Sequence, residues 1–234
     1  MSFLDLIFPR KCISCRKFGD FICANCFSNI KFCEYFICPH CFRPSINSLT
    51  HPYCLRAHGI DGVISAVVYQ GVTKRLLAQF KYDPHLHKLD KTLGELMCEG
   101  LSQNESFHEI LKLNNPVLIP IPLSPKRLRA RGYNHAELLT SYVAQYFRLK
   151  INTKLLTRVK DTKPQYKLGR KERLENISGA FSIRISPNTK YHIPNTVILV
   201  DDLATTFSTL KEAAKIFKRA GARKVYGITF AKEL

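Results

Sequence analysis

The chain has 234 residues, 45% hydrophobic, 23% charged, with a formal net charge of +18. That length holds one α/β domain plus a small module, and that apolar content excludes wholesale disorder. No apolar run approaches the roughly 18 residues of a membrane span, and the start lacks the basic flank of a signal peptide, so a cytoplasmic protein is expected.

Taken in chain order, Phe3, Leu4, Leu6, Ile7 and Phe8 are expected to pack on the body, with peripheral contact at the inner membrane as the alternative. Eight of the nine cysteines then fall within the first 54 residues. Three form C-x-x-C pairs: Cys12/Cys15, Cys23/Cys26 and Cys38/Cys41. Such a pair lets two thiolates reach one tetrahedral ion from a tight turn, so two pairs complete a zinc site. Cys12, Cys15, Cys23 and Cys26 supply one set. Cys38 and Cys41 with His51 and Cys54 supply a second, for which Cys33 and His40 are competitors; interleaved pairing is also open. A disulfide scaffold needs an oxidising compartment, and without an export signal the spacing reads as metal binding. Residues 1–60 are therefore expected to form a single or double zinc-ribbon module, structural because four protein ligands leave no open position.

From Gly62 the texture is that of an α/β domain, residues 61–234. Strands are expected at 63–69, 116–120, 180–185, 196–200 and 225–230. Helices are expected at 72–82, 88–103, 136–147 and 208–220, and a long basic connection at 157–178. Alternating strands and helices imply a mainly parallel sheet flanked by helices. Cys98 sits among apolar helical neighbours as a core thiol, and Asn134 and His135 read as caps of the following helix.

The most informative stretch is the strand 196–200 followed by Asp201, Asp202, Leu203, Ala204, Thr205, Thr206, Phe207, Ser208 and Thr209. Ligands of open α/β sheets bind at carboxyl ends of strands. A helix N-terminus with four neighbouring hydroxyls offers donors to a phosphate. The carboxylates of Asp201 and Asp202 would repel phosphate and instead suit ribose hydroxyls or Mg²⁺. A solvated turn with helix caps is the alternative.

The stretch resembles the phosphoribosyl-pyrophosphate signature of type I phosphoribosyltransferases, D-D-x-x-T-T-G-x-T, with Phe207 where that pattern has glycine. Together with the zinc pairs, the run from Ile119 through Lys126, Arg127, Arg129, Arg131, Gly132 and Asn134 to Glu137, and that from Arg158 to Phe181, the chain resembles the ComF (ComFC) family. The resemblance implies a type I phosphoribosyltransferase-like fold, binding of phosphoribosyl pyrophosphate with Mg²⁺, and a role in natural transformation, with a competence helicase as a candidate partner. It implies that the turn 201–209 holds ribose and 5′-phosphate. Lys126, Arg127 and Arg131 would hold pyrophosphate, and a flexible loop at 158–175 would close over the site with Lys160, Lys163 and Arg173. Phe207 is expected to narrow or reshape the phosphate pocket. No general base is identifiable.

The charge is concentrated: residues 126–173 carry 14 basic against 3 acidic side chains, which speaks for an anionic partner. Arg127, Arg129, Arg131, Lys160, Lys163, Lys167, Arg170 and Lys171 offer phosphate neutralisation, and Tyr133 and Tyr166 offer stacking platforms for single-stranded DNA. Tyr142 and Tyr146 fall on an apolar helix face and are expected in the core. Two classes of function follow: a single-stranded-DNA-handling factor with a phosphoribosyl-pyrophosphate pocket, or an active transferase whose acceptor is unidentified.

Overall fold

The computed structural model describes residues 10–82, 89–162, 169–184 and 193–233. The apolar segment 3–8, Lys163, Tyr166 and Lys167, and the side chains of Arg170 and Lys171, lie outside the described residues.

Strand β1 (Gly62–Val68) is buried at every position, as its unbroken apolar run demands of a strand covered on both faces. Three helices follow, α1 (Gly71–Tyr82), α2 (Leu89–Ser102) and α3 (Glu105–Leu111), and then β2 (Val117–Pro120). Helices α4 (Pro125–Arg131) and α5 (His135–Phe147) lead to a two-residue strand β3 (Lys150–Ile151). The chain continues through β4 (Leu156–Arg158), α6 (Arg170–Ile177) and β5 (Phe181–Ile183) to β6 (Thr196–Ala204), α7 (Ser208–Arg219) and β7 (Lys224–Lys232). Five strands form a parallel sheet in the order β1-β7-β6-β2-β3. The period of two along β6 sends Ile198 and Val200 into one core with Leu93 and Leu139. Val197 and Leu199 enter a second core with Leu210 and Phe217. Both faces are thus apolar until the strand reaches Asp201 and Asp202.

The N-terminal module docks on this body through both cores. Phe21, Cys26 and Ile30 join the first, while Ile37 and Phe42 pack on the second. Backbone bonds tie the seam: Cys33 N–H donates to Ala66 O at 2.9 Å and Val68 N–H to Lys31 O at 2.8 Å. Among the described residues, no helix is long and apolar enough to cross a membrane.

Several sequence expectations are corrected. The strand 196–200 runs on to Ala204, because β7 continues alongside it to Lys232 and satisfies its backbone. The acidic pair therefore lies inside the strand end. The basic block after β2 is a helix, begun by Ser124, whose hydroxyl accepts from Arg127 N–H, with Pro125 behind it. It is ended by Gly132 at φ +78°, a conformation glycine adopts without strain. The connection 157–178 is not structureless: it contains the end of β4 and all of α6. The strand expected at 180–185 is β5, which leaves the main sheet to pair antiparallel with β4. Helix α3 has no counterpart among the sequence expectations: its seven residues are too few for a periodic signal, though Asn104 caps it by accepting from Phe107 N–H at 3.1 Å. Tyr146 is 61% exposed rather than core, while Cys98 is buried as expected.

Candidate ligand cleft and zinc sites

The two cysteine quartets assemble in sequence order. The ligand atoms of Cys12, Cys15, Cys23 and Cys26 lie within 4.8 Å of one another, as do those of Cys38, Cys41, His51 and Cys54. Neither Cys33 nor His40 joins the second set. Zn–S and Zn–N bonds of about 2.3 and 2.1 Å in a tetrahedron put ligand atoms roughly 3.5–3.8 Å apart. The Cys15 Sγ–Cys23 Sγ separation of 3.5 Å meets that demand, and Cys41 Sγ–His51 Nδ1, at 3.3 Å, is slightly closer. His51 Nε2 is 2.9 Å from Pro44 O, which fixes its N–H there and makes Nδ1, also 3.0 Å from the Tyr53 hydroxyl, the atom that carries the lone pair toward Cys41. Burial pushes the Cys12 and Cys38 thiols up, but surrounding backbone N–H groups outweigh it and bring them to about 6 and about 7. The two C-x-x-C turns share one geometry. Arg16 N–H donates to Cys12 O and Phe42 N–H to Cys38 O, at 2.8 and 2.9 Å, and both residues after the second cysteine have positive φ, 67° and 63°.

A cleft of ≈ 760 Å³ opens at the carboxyl ends of β2 and β6, where a parallel sheet presents its ligand site. Arg127 and Arg131, one turn apart on α4, line it with Arg158, Arg173, Thr205 and Thr209, and so do Asp201, Asp202, Asn134 and His135. Asn134 Nδ2 donates to Ile121 O at 3.1 Å, so its Oδ1 is the free atom. His135 Nε2 lies 2.9 Å from Phe80 O, which places the proton on Nε2 and a lone pair on Nδ1. Among the described residues, four buried side-chain polar atoms lack a partner. Three of them, Asn134 Oδ1, His135 Nδ1 and Arg158 Nε, belong to residues of this cleft. Buried orphans of this kind call for a bound group. Two are acceptors and one is a donor, so that group carries both hydroxyl or N–H donors and anionic oxygens.

The electrostatics agree. Burial, then the neighbouring Asp202 charge, raises the Asp201 carboxyl to about 7. For Asp202 burial acts in the same sense, but the Lys81 ammonium, 2.9 Å from its Oδ1, outweighs it and holds the group below the usual carboxylate range. The pair thus has one carboxylate already countered by Lys81 and a second that a further cation would ionise, which fits a single added divalent ion. Burial lowers Arg158 from its ordinary value and drives His135 down to about 4.

That last shift has a testable sign. The unfolded imidazole, near 6.5, takes its proton before the folded one, so acidification from pH 6.5 towards 4 favours unfolding. Between pH 7 and 5 the loss amounts to about 2 kcal/mol. Asp201, raised in the folded state, contributes in the opposite direction between about 4 and 7. The comparison of wild type with His135→Gln isolates the histidine: urea midpoints at the two pH values are expected to fall on acidification more in the wild type than in the variant.

The sequence-predicted residues divide. Thr205, Thr209, Arg127 and Arg131 line the cleft with the acidic pair, whereas Ala204, Thr206, Phe207, Ser208 and Lys126 do not. Thr206 Oγ1 donates to Ser208 Oγ at 3.0 Å within the turn. Phe207 does not narrow the cleft: at φ +56° its ring turns away, 3% exposed, onto Phe42, with centroids 5.6 Å apart. Lys126, Arg129 and Lys160 face solvent. Tyr133 is half-buried, its hydroxyl donating to Phe80 O at 2.8 Å, and so is not presented as a stacking platform. Asn134 and His135 make no side-chain cap of α5 and line the cleft instead. Sequence reasoning assigned no site role to Arg158 or Lys81. Arg158 lay at the start of a stretch read as loop, and Lys81 meets Asp202 across 121 positions with no local signal.

Comparison with known proteins matches this architecture. Residues 3–57 match the double zinc ribbon domain. The chain is 31% identical to competence protein F of Haemophilus influenzae over 226 residues, 93% of this chain and 95% of that protein. It is 25% identical to the DNA utilization protein YhgH of Escherichia coli K12, covering 94% and 96% of the two chains. It is also 25% identical to competence protein ComFC of Streptococcus pneumoniae, covering 96% and 91%. With a double zinc ribbon ahead of a parallel α/β sheet, and full-length similarity to competence protein F, the chain belongs to the ComF family.

Proposed function

We propose that the protein handles single-stranded DNA in the cytoplasm during natural transformation, and that its cleft binds phosphoribosyl pyrophosphate together with Mg²⁺. The observation that carries the ligand reading is the mixed lining of the cleft. Unpartnered acceptors at Asn134 and His135 suit ribose hydroxyls, and the arginines with Thr205 and Thr209 suit phosphoryl oxygens. Asp201 and Asp202 would hold Mg²⁺, which when bound supplies charge neutralisation for the diphosphate. Lys81 keeps Asp202 ionised and oriented, Arg127 and Arg131 hold the anion from α4, and Arg158, buried beside them, contributes a guanidinium whose charge is poorly screened. The relatives' printed names, competence protein and DNA utilization protein, support the DNA role. The solvent-facing cations of α4 supply a surface for it.

The test is calorimetric titration of the zinc-loaded protein with phosphoribosyl pyrophosphate and Mg²⁺. Saturable binding is expected for the wild type and at least a hundredfold weakening for Asp201→Ala/Asp202→Ala. A folded wild-type protein that gives no heat would sink the ligand reading. A second reading, transfer of the phosphoribosyl group to an acceptor, is favoured by one feature: His135, a cleft-lining residue, carries an unprotonated and unpartnered Nδ1, the kind of nitrogen that takes a proton from an attacking N–H. Acceptor-dependent pyrophosphate release that survives Arg129→Ala, outside the cleft, but not His135→Leu is its expected signature.

A further inference from the structure

The turn between β6 and α7 reaches into the zinc module. Phe207 holds φ +56° and ψ +10°, a left-handed conformation that is uncommon for any residue but glycine and costly for a bulky one. What surrounds it is Phe42, the residue immediately after the zinc ligand Cys41. Phe42 is fixed by the metal knuckle rather than by the sheet: its N–H donates to Cys38 O, and Cys38 N–H donates to Arg43 O, both at 2.9 Å. The knuckle of the first ribbon has the same fold, but there the equivalent residue is Arg16, exposed to solvent. Only the second knuckle directs an aromatic ring at the body. The Lys211 ammonium lies 5.3 Å from the Phe42 ring centre, and Lys211 N–H donates to Phe207 O at 2.9 Å, so the first turn of α7 joins the same contact. On either side of Phe207, Thr205 and Thr209 line the cleft.

We propose that Phe42, carried by the second zinc ribbon, is a positioning residue that clamps Phe207 in the left-handed conformation and thereby holds Thr205 and Thr209 in place to receive phosphate. A glycine at 207 would adopt that conformation unaided; with phenylalanine there, the turn depends on the ribbon. Zinc binding at Cys38, Cys41, His51 and Cys54 and anion binding in the cleft are then linked, and linkage is reciprocal. This rests on the reading that the turn 205–209 holds phosphate.

The test is a double-mutant cycle read by calorimetry with phosphoribosyl pyrophosphate and Mg²⁺, on proteins verified to carry two zinc ions per chain. Phe42→Ala is expected to weaken binding roughly tenfold, about 1.4 kcal/mol. Adding Phe207→Gly to Phe42→Ala is expected to restore affinity to within about threefold of wild type, because glycine no longer needs the clamp. A purely structural role predicts the reverse, since the double variant loses more core. Equal affinity of wild type and Phe42→Ala, or no rescue in the double variant, would overturn the proposal. Hydrogen exchange of the amides at 204–209 provides a ligand-free arm: faster exchange in Phe42→Ala with an unchanged sheet supports the clamp, and unchanged exchange refutes it. If the wild type binds no ligand at all, the reading of the cleft fails while this arm still decides the clamp.

Discussion

Replacing Lys126 and Arg129 with alanine is expected to weaken single-stranded DNA binding about 20-fold at 0.1 M salt while leaving phosphoribosyl pyrophosphate binding within twofold. The expectation follows from how α4 sorts its cations. Arg127 and Arg131, four residues apart, share the helix face that lines the cleft, and Lys126 and Arg129 face solvent. Each cation that neutralises a strand phosphate contributes a salt slope of about −0.7, so two lost contacts remove about 1.4 from the slope and roughly 1.4 decades of affinity at 0.1 M. The complementary pair, Arg127→Ala/Arg131→Ala, is expected to weaken phosphoribosyl pyrophosphate by two decades or more, since charge-assisted contacts in a half-buried cleft are less screened than those outside. Fluorescence anisotropy with a labelled oligonucleotide across a salt series, beside calorimetry with the sugar phosphate, separates the two. If both double variants lose both ligands equally, DNA enters the cleft and the two ligands compete. If Lys126→Ala/Arg129→Ala changes neither slope nor affinity, α4 is not part of the DNA surface.

The second large effect is expected from metal removal. Chelation should release two zinc ions per chain and lower the melting temperature of the whole protein by at least 10 °C, instead of unfolding a detached N-terminal piece. Structural zinc contributes on the order of 10 kcal/mol to a small module, and here the module is built into the body. Phe21, Cys26 and Ile30 share a core with Leu93 and Val200. Asp61, at the junction, accepts from Val225 N–H at 2.7 Å and pairs with Lys218 at 2.7 Å, both on the far side of the chain. A single cooperative transition that shifts with zinc occupancy is the expected calorimetric trace. Two transitions, with the later one indifferent to chelator, would show that the body does not depend on the ribbons.

Much of this was legible in the sequence because its signals are local. The C-x-x-C spacing marked the first ligand set and half of the second, since a tetrahedral ion constrains residues a few positions apart, while Cys33, His40 and interleaved pairing stayed open until the fold brought His51 and Cys54 to Cys38 and Cys41. The apolar runs at β1 and β6 announced strands buried on both faces, and Asp201 and Asp202 announced a site at a strand end. What escaped depends on contacts between distant segments. Lys81 belongs to an amphipathic helix and acquires its role only when Asp202 arrives beside it. Arg158 ends a three-residue strand whose partner is Phe181, too short a ladder to read from composition. Asn134 and His135 stand at a helix start and so read as caps, but their side chains bond Ile121 O and Phe80 O instead, and both residues line the cleft. Phe207 stands out in sequence as a departure from glycine, but nothing local tells that its ring packs away from the cleft, because the ring that receives it lies 165 positions earlier.

The strand order also dictates a timetable. Strand β7, the last of the seven to be made, lies between β1 and β6. The ribosome therefore delivers β1 long before the strand beside it in the parallel sheet, and until Lys224–Lys232 emerges the acidic strand end has no support on that side. The zinc ligands, by contrast, are all synthesised by residue 54 and need no distant partner. The metal is thus expected to be taken up while the rest of the chain is still emerging, and ribosome-bound chains arrested before Lys224 should hold zinc yet remain open to protease throughout the sheet. The ribbons would wait, already folded, as the seat on which the late-closing cleft is assembled.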